Sequence, residues 1–514
     1  MRHMQTSMPR AGHRGIRRKG RKRNGTEMYT LFPLRRDVPI RRMPKHKNGG
    51  QNNIQIQKLA KRRGRMRRIT MASEIEKGTK YIPEMSQSEI EELGNSIKAA
   101  SLKVMKQNIE RMKKTWPNRP KEMEYFDEIS NFFGRRQKEI SEQKEKGKKL
   151  IGYTCMFAPI EFILAAGAIP VRVGSGWYDA AKLGDRIMPV EVCPVIRSTV
   201  GAKMVSLSPY LELSDAIITP LTCDGRTKLS EILSDFKPVW YMTPPRVKDD
   251  PQTLSLWKEE MQVIRGKIEE LTGNKITKES LRSAIEVMQK ATKAFRRLQD
   301  LRKGPPVITG RDAMLVNQTS LWDDIERWTQ KTNELCDELE KRVEQKEYAC
   351  PPDTSRVMIT GTPMLWPDSW KVPNLIEEAN PQGVLVVDEQ CSGDRILYDP
   401  VGIDEWTMSD MFDAVSERYL MASTCPCFTS EHGNEDRVNW IMDRIKEYKV
   451  DGVIYYVVRG CILYAMEYAR IKRVMDRMGI PVYYLDTEYT REDVGQMKTR
   501  IEAFLEMLEA RIDI

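Results

Sequence analysis

From about Lys149 the chain alternates short apolar runs with amphipathic stretches, and this rhythm fixes the expected architecture. Ile151 to Tyr153, Ile169 to Val173, Ser214 to Thr219 and Pro238 to Met242 read as strands, with helices expected over Pro159 to Ala166 and Arg226 to Phe236. A second block of the same kind opens at Arg356 and runs through strands at Val384, Val453 and Ile480 to Leu485. It includes helices Ile462 to Met478 and Asp493 to Leu508. Strands separated by helices imply parallel sheets, because a parallel neighbour needs a crossover long enough to hold a helix.

Residues 88–148 carry apolar positions at helical spacing (Ile97, Leu102, Met105, Ile109, Met112). Residues 251–348 do so again (Leu256, Met261, Ile264, Ile268, Leu271), broken at Gly273-Asn274 and Gly304-Pro305-Pro306. The expected fold is α/β: two similar Rossmann-like domains with parallel sheets, joined by a helical segment and preceded by N-terminal helices. The expected boundaries are a basic extension over 1–70, a helical region over 71–148 and a first α/β domain over 149–250. The helical segment then covers 251–350 and the second α/β domain 351–514.

Charge divides the chain differently. The net charge of +11 comes from its beginning: residues 1–70 hold 22 of the 84 Lys and Arg but only 2 of the 73 Asp and Glu. The rest has 62 basic against 71 acidic residues, a net −9. The extension lacks apolar periodicity and is expected to be disordered. A nucleic-acid-binding arm is one reading of it; a transit peptide is a weaker one. The preferred reading is a mis-assigned upstream start, with Met71-Ala72-Ser73-Glu74 as a natural beginning. No apolar stretch approaches the roughly 20 residues of a membrane span, and no secretory pattern opens the chain. The cysteines are too sparse for a disulfide-stapled secreted scaffold, so a reducing cytoplasm is the expected setting.

Nine cysteines against four histidines set the available chemistry. Only His432 lies outside the extension, which argues against histidine triads and mixed histidine zinc sites. Neither a Gly-x-x-x-x-Gly-Lys-Ser/Thr loop nor a Gly-x-Gly-x-x-Gly after a strand is present, so no ATP or nicotinamide site is expected in this chain. Cys155, Cys223, Cys391 and Cys461 each follow a predicted strand, where α/β sheets gather ligands and helix N-termini stabilise thiolates. Cys193, Cys425 and Cys427 complete the candidate set, while Cys336 and Cys350 fall in or beside the helical segment. Any one cysteine is more often a small buried hydrophobe. Single cysteines dispersed over several loops, without paired Cys-x-x-Cys knuckles, fit a buried iron–sulfur cluster better than structural zinc.

Several segments resemble one family in order. They are Gly152-Tyr153-Thr154-Cys155 with Pro159-Ile160-Glu161 and Ala165 to Val171, Cys193-Pro194-Val195-Ile196-Arg197-Ser198, and Thr222-Cys223-Asp224-Gly225-Arg226-Thr227-Lys228. Cys391-Ser392-Gly393, Asp451 to Ile454, Cys461 and Gly495 to Phe504 continue the series. Over roughly residues 85–510 the chain resembles the 2-hydroxyacyl-CoA dehydratase/benzoyl-CoA reductase family. That resemblance implies an oxygen-sensitive catalytic subunit of an anaerobic, cytoplasmic enzyme, with a 4Fe-4S cluster held by Cys155, Cys193 and Cys461. It also implies a separate ATP-hydrolysing iron–sulfur activator as electron donor, a homodimer or a heterodimer with a related subunit, and a small-molecule or acyl-CoA substrate. In the dehydratases a ketyl radical forms on the substrate thioester; in the reductases electrons enter an aromatic ring or another bond that is hard to reduce.

A narrower resemblance is to the double-cubane (8Fe-9S) branch, with Cys223, Cys391, Cys425 and Cys427 as the additional thiolates. Val247 to Asp250 and Leu256 to Met261 also look like that branch. Thr362, after Gly361, departs from it, since relatives often carry cysteine there. Glu161 and Ser198 lie beside ligand cysteines, where contact with substrate or cluster is one reading; the preferred readings are a helix-start residue and an N-cap respectively. Against this stand a degenerate member without its cluster and a non-catalytic protein binding nucleic acid through the basic extension; neither membrane nor nucleic acid is the expected partner.

Overall fold

The computed structural model describes residues 85–248, 250–430 and 434–512. The readings placed on the basic extension, on Met71 and on His432 lie outside the described residues.

Among the described residues three helices come first: α1 (Gln87–Thr115), α2 (Met123–Ile129) and α3 (Arg135–Glu145). The first α/β block runs β1 (Leu150–Tyr153), α4 (Ile160–Ala165), β2 (Ile169–Arg172), α5 (Tyr178–Gly184), α6 (Pro194–Met204), α7 (Pro209–Leu213), β3 (Ala216–Pro220), α8 (Asp224–Ser234) and β4 (Val239–Met242). Four helices follow: α9 (Pro251–Thr272), α10 (Lys278–Leu301), α11 (Gly310–Thr319) and α12 (Ile325–Gln345). The second block comprises β5 (Ser355–Gly361), α13 (Lys371–Glu377), β6 (Gly383–Glu389), α14 (Met408–Leu420), α15 (Glu435–Glu447), β7 (Gly452–Val458), α16 (Ile462–Arg477), β8 (Val482–Thr487) and α17 (Val494–Ile512).

Among the described residues all pairings are parallel, and the two four-stranded sheets share one topology, with orders β2-β1-β3-β4 and β6-β5-β7-β8. The α/β expectation therefore holds. Sequence periodicity did not anticipate α5, α6, α7, α13, α14 and α15. These are short or polar, so their apolar stripe is too brief to separate from loop.

The strands are apolar on both faces because helices cover both. Along β7, Val453, Tyr455 and Val457 enter one core, while Ile454, Tyr456 and Val458 enter another on the opposite face. The two faces of β1 divide likewise, Leu150 on one side and Ile151 and Tyr153 on the other. In the helical segment, α10 turns Leu281, Ile285, Met288, Phe295 and Leu298 inward and starts with a capping box between Thr277 and Ser280. Helix α1 belongs to neither block alone. Ile97 lies in the core beneath the first sheet, whereas Met105 and Met112 lie in the core of the second.

Candidate functional site

In each sheet the order reverses between the first and third strands, opening a crevice at their carboxyl ends. Cys155 lies two residues beyond β1, Cys223 three beyond β3 and Cys391 two beyond β6. Cys193, Cys223 and Cys461 each occupy the N-cap of the helix that follows them, α6, α8 and α16. Three helix N-termini thus direct their positive ends at thiols. Pro194 at the first position of α6 fixes the entry directly after Cys193. Cys425 and Cys427 lie in the turn after α14, packed in the same apolar cluster as Cys155.

A glycine joins the two sheets at this point. Gly460 has φ +85°, and a Cβ there would lie 2.3 Å from the Glu191 carbonyl oxygen and 2.9 Å from the Cys193 nitrogen. Only a residue without a side chain lets the turn after β7 touch the loop before α6, and this contact sets Cys461 beside Cys193. The Cys193 sulfur faces the Val195 and Ile196 amides, yet burial, with Cys461 and Cys223 close by, pushes its pKa up to about 12. Burial also raises Cys461, against the Tyr464 amide and the Thr362 hydroxyl, which both favour its thiolate. Thr362 follows β5 as Thr154 and Cys155 follow β1, so it stands at the mirror position in the second sheet.

Cys155 belongs to a second neighbourhood. Burial raises its pKa, opposed by Arg226, and Cys391 and Cys425 add to the rise. Cys425 is raised first by its hydrogen bond with Cys427 and then by burial. The seven candidate cysteines thus form two adjoining groups: Cys193, Cys223 and Cys461, and Cys155, Cys391, Cys425 and Cys427. Cys336 is apart from both, buried within the helical segment among Phe295, Leu298 and Leu339.

Among the described residues, no three His, Cys, Asp or Glu side chains stand close enough to share a single metal ion. A cubane cluster makes a different demand: each thiolate binds its own iron corner, so the sulfurs surround a volume instead of converging on a point. The donor set fits such a group, being all thiol, drawn from both sheets and lined with helix N-termini. Cys155, Cys193, Cys425 and Cys461, whose thiols burial and their neighbours hold protonated, would release protons to the solvent on taking up iron.

Three arginines that periodicity did not single out line the site. Arg172, at the end of β2, donates to the Cys391 carbonyl at 2.7 Å and lies 3.9 Å from its sulfur. Arg226, one turn into α8 from Cys223, donates to the Thr154 carbonyl at 2.6 Å. Arg395 is buried, donates to the Tyr464 hydroxyl at 2.8 Å and pairs with Glu389 at 3.1 Å. Arg226 was visible within the motif around Cys223; the other two depend on loop geometry.

Ser198 is not an N-cap: it is buried inside α6, accepting from the Trp177 amide at 3.0 Å and bonding Ser175 at 2.6 Å. The cap is Cys193, because the helix begins at Pro194. Glu161 does start a helix, as expected, but is buried and accepts from the Tyr419 hydroxyl at 2.8 Å. Tyr419 borders a cavity of about 340 Å³ that reaches Cys391. Ile160, Leu164 and Leu397 form its apolar wall, with Arg172 and Arg418 on its polar side.

Among known proteins, a chain of Escherichia coli (strain K12), YjiM, that bears the name of a dehydratase subunit is 31% identical over 386 residues, 74% of this chain and 97% of its own length. The (R)-phenyllactyl-CoA dehydratase beta subunit of Clostridium sporogenes is 26% identical over 75% of this chain and 98% of its own length. The beta subunit of (R)-2-hydroxyglutaryl-CoA dehydratase from Acidaminococcus fermentans is 23% identical over 72% and 95% respectively. Residues 155–508 match the family described as 2-hydroxyglutaryl-CoA dehydratase, D-component. With its thiols set at the ends of both sheets, the chain belongs to this family of 2-hydroxyacyl-CoA dehydratase and benzoyl-CoA reductase subunits.

Proposed function

We propose that this chain is an iron–sulfur redox component that takes low-potential electrons from a separate ATP-hydrolysing activator and reduces a small substrate. The observation that carries this reading is the gathering of seven thiols from both sheets into two adjoining groups, more than one 4Fe-4S cluster needs. Cys193, Cys223 and Cys461 would hold one half of a double-cubane cluster, and Cys155, Cys391 and one or both of Cys425 and Cys427 the other. Once bound, such a cluster supplies electrons singly at low potential. The protein's own part is to shield the site from water, to compensate its charge with arginines, and to admit a substrate through the cavity beside Cys391. A working unit of two chains, homodimer or heterodimer, is supported by relatives named as subunits of larger enzymes. No helix among the described residues is long and apolar enough to cross a membrane; we place the protein in the cytoplasm, where reduced thiols persist.

The second reading is a 2-hydroxyacyl-CoA dehydratase or benzoyl-CoA reductase subunit with one 4Fe-4S cluster on Cys155, Cys193 and Cys461. The names of the relatives favour it. Iron and acid-labile sulfide per chain, measured on protein purified without oxygen, separate the two. About eight irons, falling sharply in Cys223→Ala, is the expected result for the double cubane, whereas about four, unchanged in that variant, leads to the acyl-CoA reading. Cys336→Ala is the control and leaves the iron content unchanged. Stable protein without iron overturns both.

A further inference from the structure

Arg172 and Arg226 are the only two of the three site arginines without a carboxylate partner. Among the described residues neither forms an ion pair; each is held instead by a main-chain carbonyl, of Cys391 and Thr154 respectively. Arg395, by contrast, is neutralised by Glu389. Both unpaired guanidiniums line a small cavity of about 40 Å³, together with Thr154, Val195 and Thr199. No cysteine lines this cavity, but its wall includes Thr154, the residue before Cys155, and Val195, two residues after Cys193. Both arginines are half-buried; an arginine cannot shed its proton, and drawing its charge even partly out of water without a counter-charge carries a cost. A protein that aims two such charges at a set of thiols provides for negative charge there.

We propose that Arg172 and Arg226 are positioning residues whose fixed positive charge balances the anionic cluster between the two thiol groups and sets its reduction potential. The geometry assigns Arg226 the larger share. It stands within reach of members of both groups, one turn along α8 from Cys223 and bonded beside Cys155. Arg172 bears on Cys391 and Cys155, both in one group. Reduction adds one negative charge to the cluster, so removing a nearby positive charge disfavours the reduced state and drives the potential down. This inference rests on the iron–sulfur reading above.

The test is a redox titration followed by electron paramagnetic resonance on the anaerobically purified full chain, with iron measured on each sample. Wild type is compared with Arg226→Gln, Arg226→Lys and Arg172→Gln. The expected result is a fall in midpoint potential in Arg226→Gln equivalent to at least tenfold in the redox equilibrium, about 59 mV for one electron. A smaller fall is expected in Arg172→Gln, with Arg226→Lys close to wild type because it keeps the charge. Loss of iron from Arg226→Gln with retention in Arg226→Lys also supports the proposal. Unchanged potentials in both glutamine variants at full iron content overturn it, as does equal loss of iron from the lysine and glutamine variants. Wild-type protein without iron overturns the iron–sulfur reading itself.

Discussion

The contact between Gly460 and the loop before Cys193 should hold Cys461, from the second sheet, beside Cys193, from the first, and Gly460→Ala tests it. Two costs add at this position. An L-residue at φ +85° pays about 1–2 kcal/mol for its left-handed backbone. The new Cβ would also stand 2.3 Å from the Glu191 carbonyl. Both partners are main chain and cannot rotate away, so the turn and the loop must part by about 1 Å to reach ordinary contact. Overpacking of this kind costs roughly 1–3 kcal/mol. The expected destabilisation is therefore about 2–5 kcal/mol, with Cys461 displaced from Cys193. Gly479 offers the matched control: its φ is +68°, and a Cβ there would meet nothing within 4 Å. Gly479→Ala should lose only the backbone part. Urea unfolding followed by circular dichroism gives both stabilities, and iron per chain reports the site. Equal stability losses in the two variants, with full iron in Gly460→Ala, would refute the claim that this contact aligns the cysteines.

Two further expectations concern buried charge beside the site. Asp394, three residues beyond Cys391, is buried with neither carboxyl oxygen hydrogen-bonded and with Arg444 at 4.0 Å; burial raises its pKa from 3.8 to about 7. Because the folded state keeps the proton longer than the unfolded one, Asp394 should lower stability as pH rises from about 4 to 7. The slope should reach at most about 1.4 kcal/mol per pH unit, and Asp394→Asn should flatten that part of the stability profile; a profile unchanged by the substitution would contradict the assignment. Arg437 is fully buried and pairs with Glu389 at 2.9 Å and Glu467 at 2.6 Å. Arg437→Met should cost about 3–5 kcal/mol by stranding those carboxylates, whereas a loss below about 1 kcal/mol in urea unfolding would show that Arg395 and Thr360 satisfy Glu389 alone.

What was legible from the chain followed local rules. The runs Val384 to Val387 and Val453 to Val458 are apolar on both faces, which only a helix-covered parallel strand requires, and they became β6 and β7. The strand-end cysteines were equally readable, because the residues after a parallel strand necessarily open onto the sheet's carboxyl edge. Cys193 was found through its motif rather than through periodicity, since α6 is too short and too evenly buried to show a stripe. The N-cap reading of Ser198 failed for a related reason: a hydroxyl-bearing residue near a helix start suits a cap in sequence. Here Pro194 puts the start five residues earlier, with Cys193 as the cap, and Ser198 bonds Trp177 and Ser175 instead.

The sequence alone determined that this is an α/β protein, with repeated thiols at its strand ends and few other groups for chemistry. Local hydrophobic period and motif spacing carry that information along a single stretch of chain. Only the tertiary structure decided which thiols are neighbours. The division of seven cysteines into two groups, the approach of Gly460 to Cys193, and the two guanidiniums without carboxylate partners are meetings between segments up to hundreds of residues apart. So is the course of α1, whose Ile97 and Met112 lie in the cores of different sheets. Such contacts are set by how complete elements pack and which backbones can touch, a property of the assembled fold that no local pattern encodes.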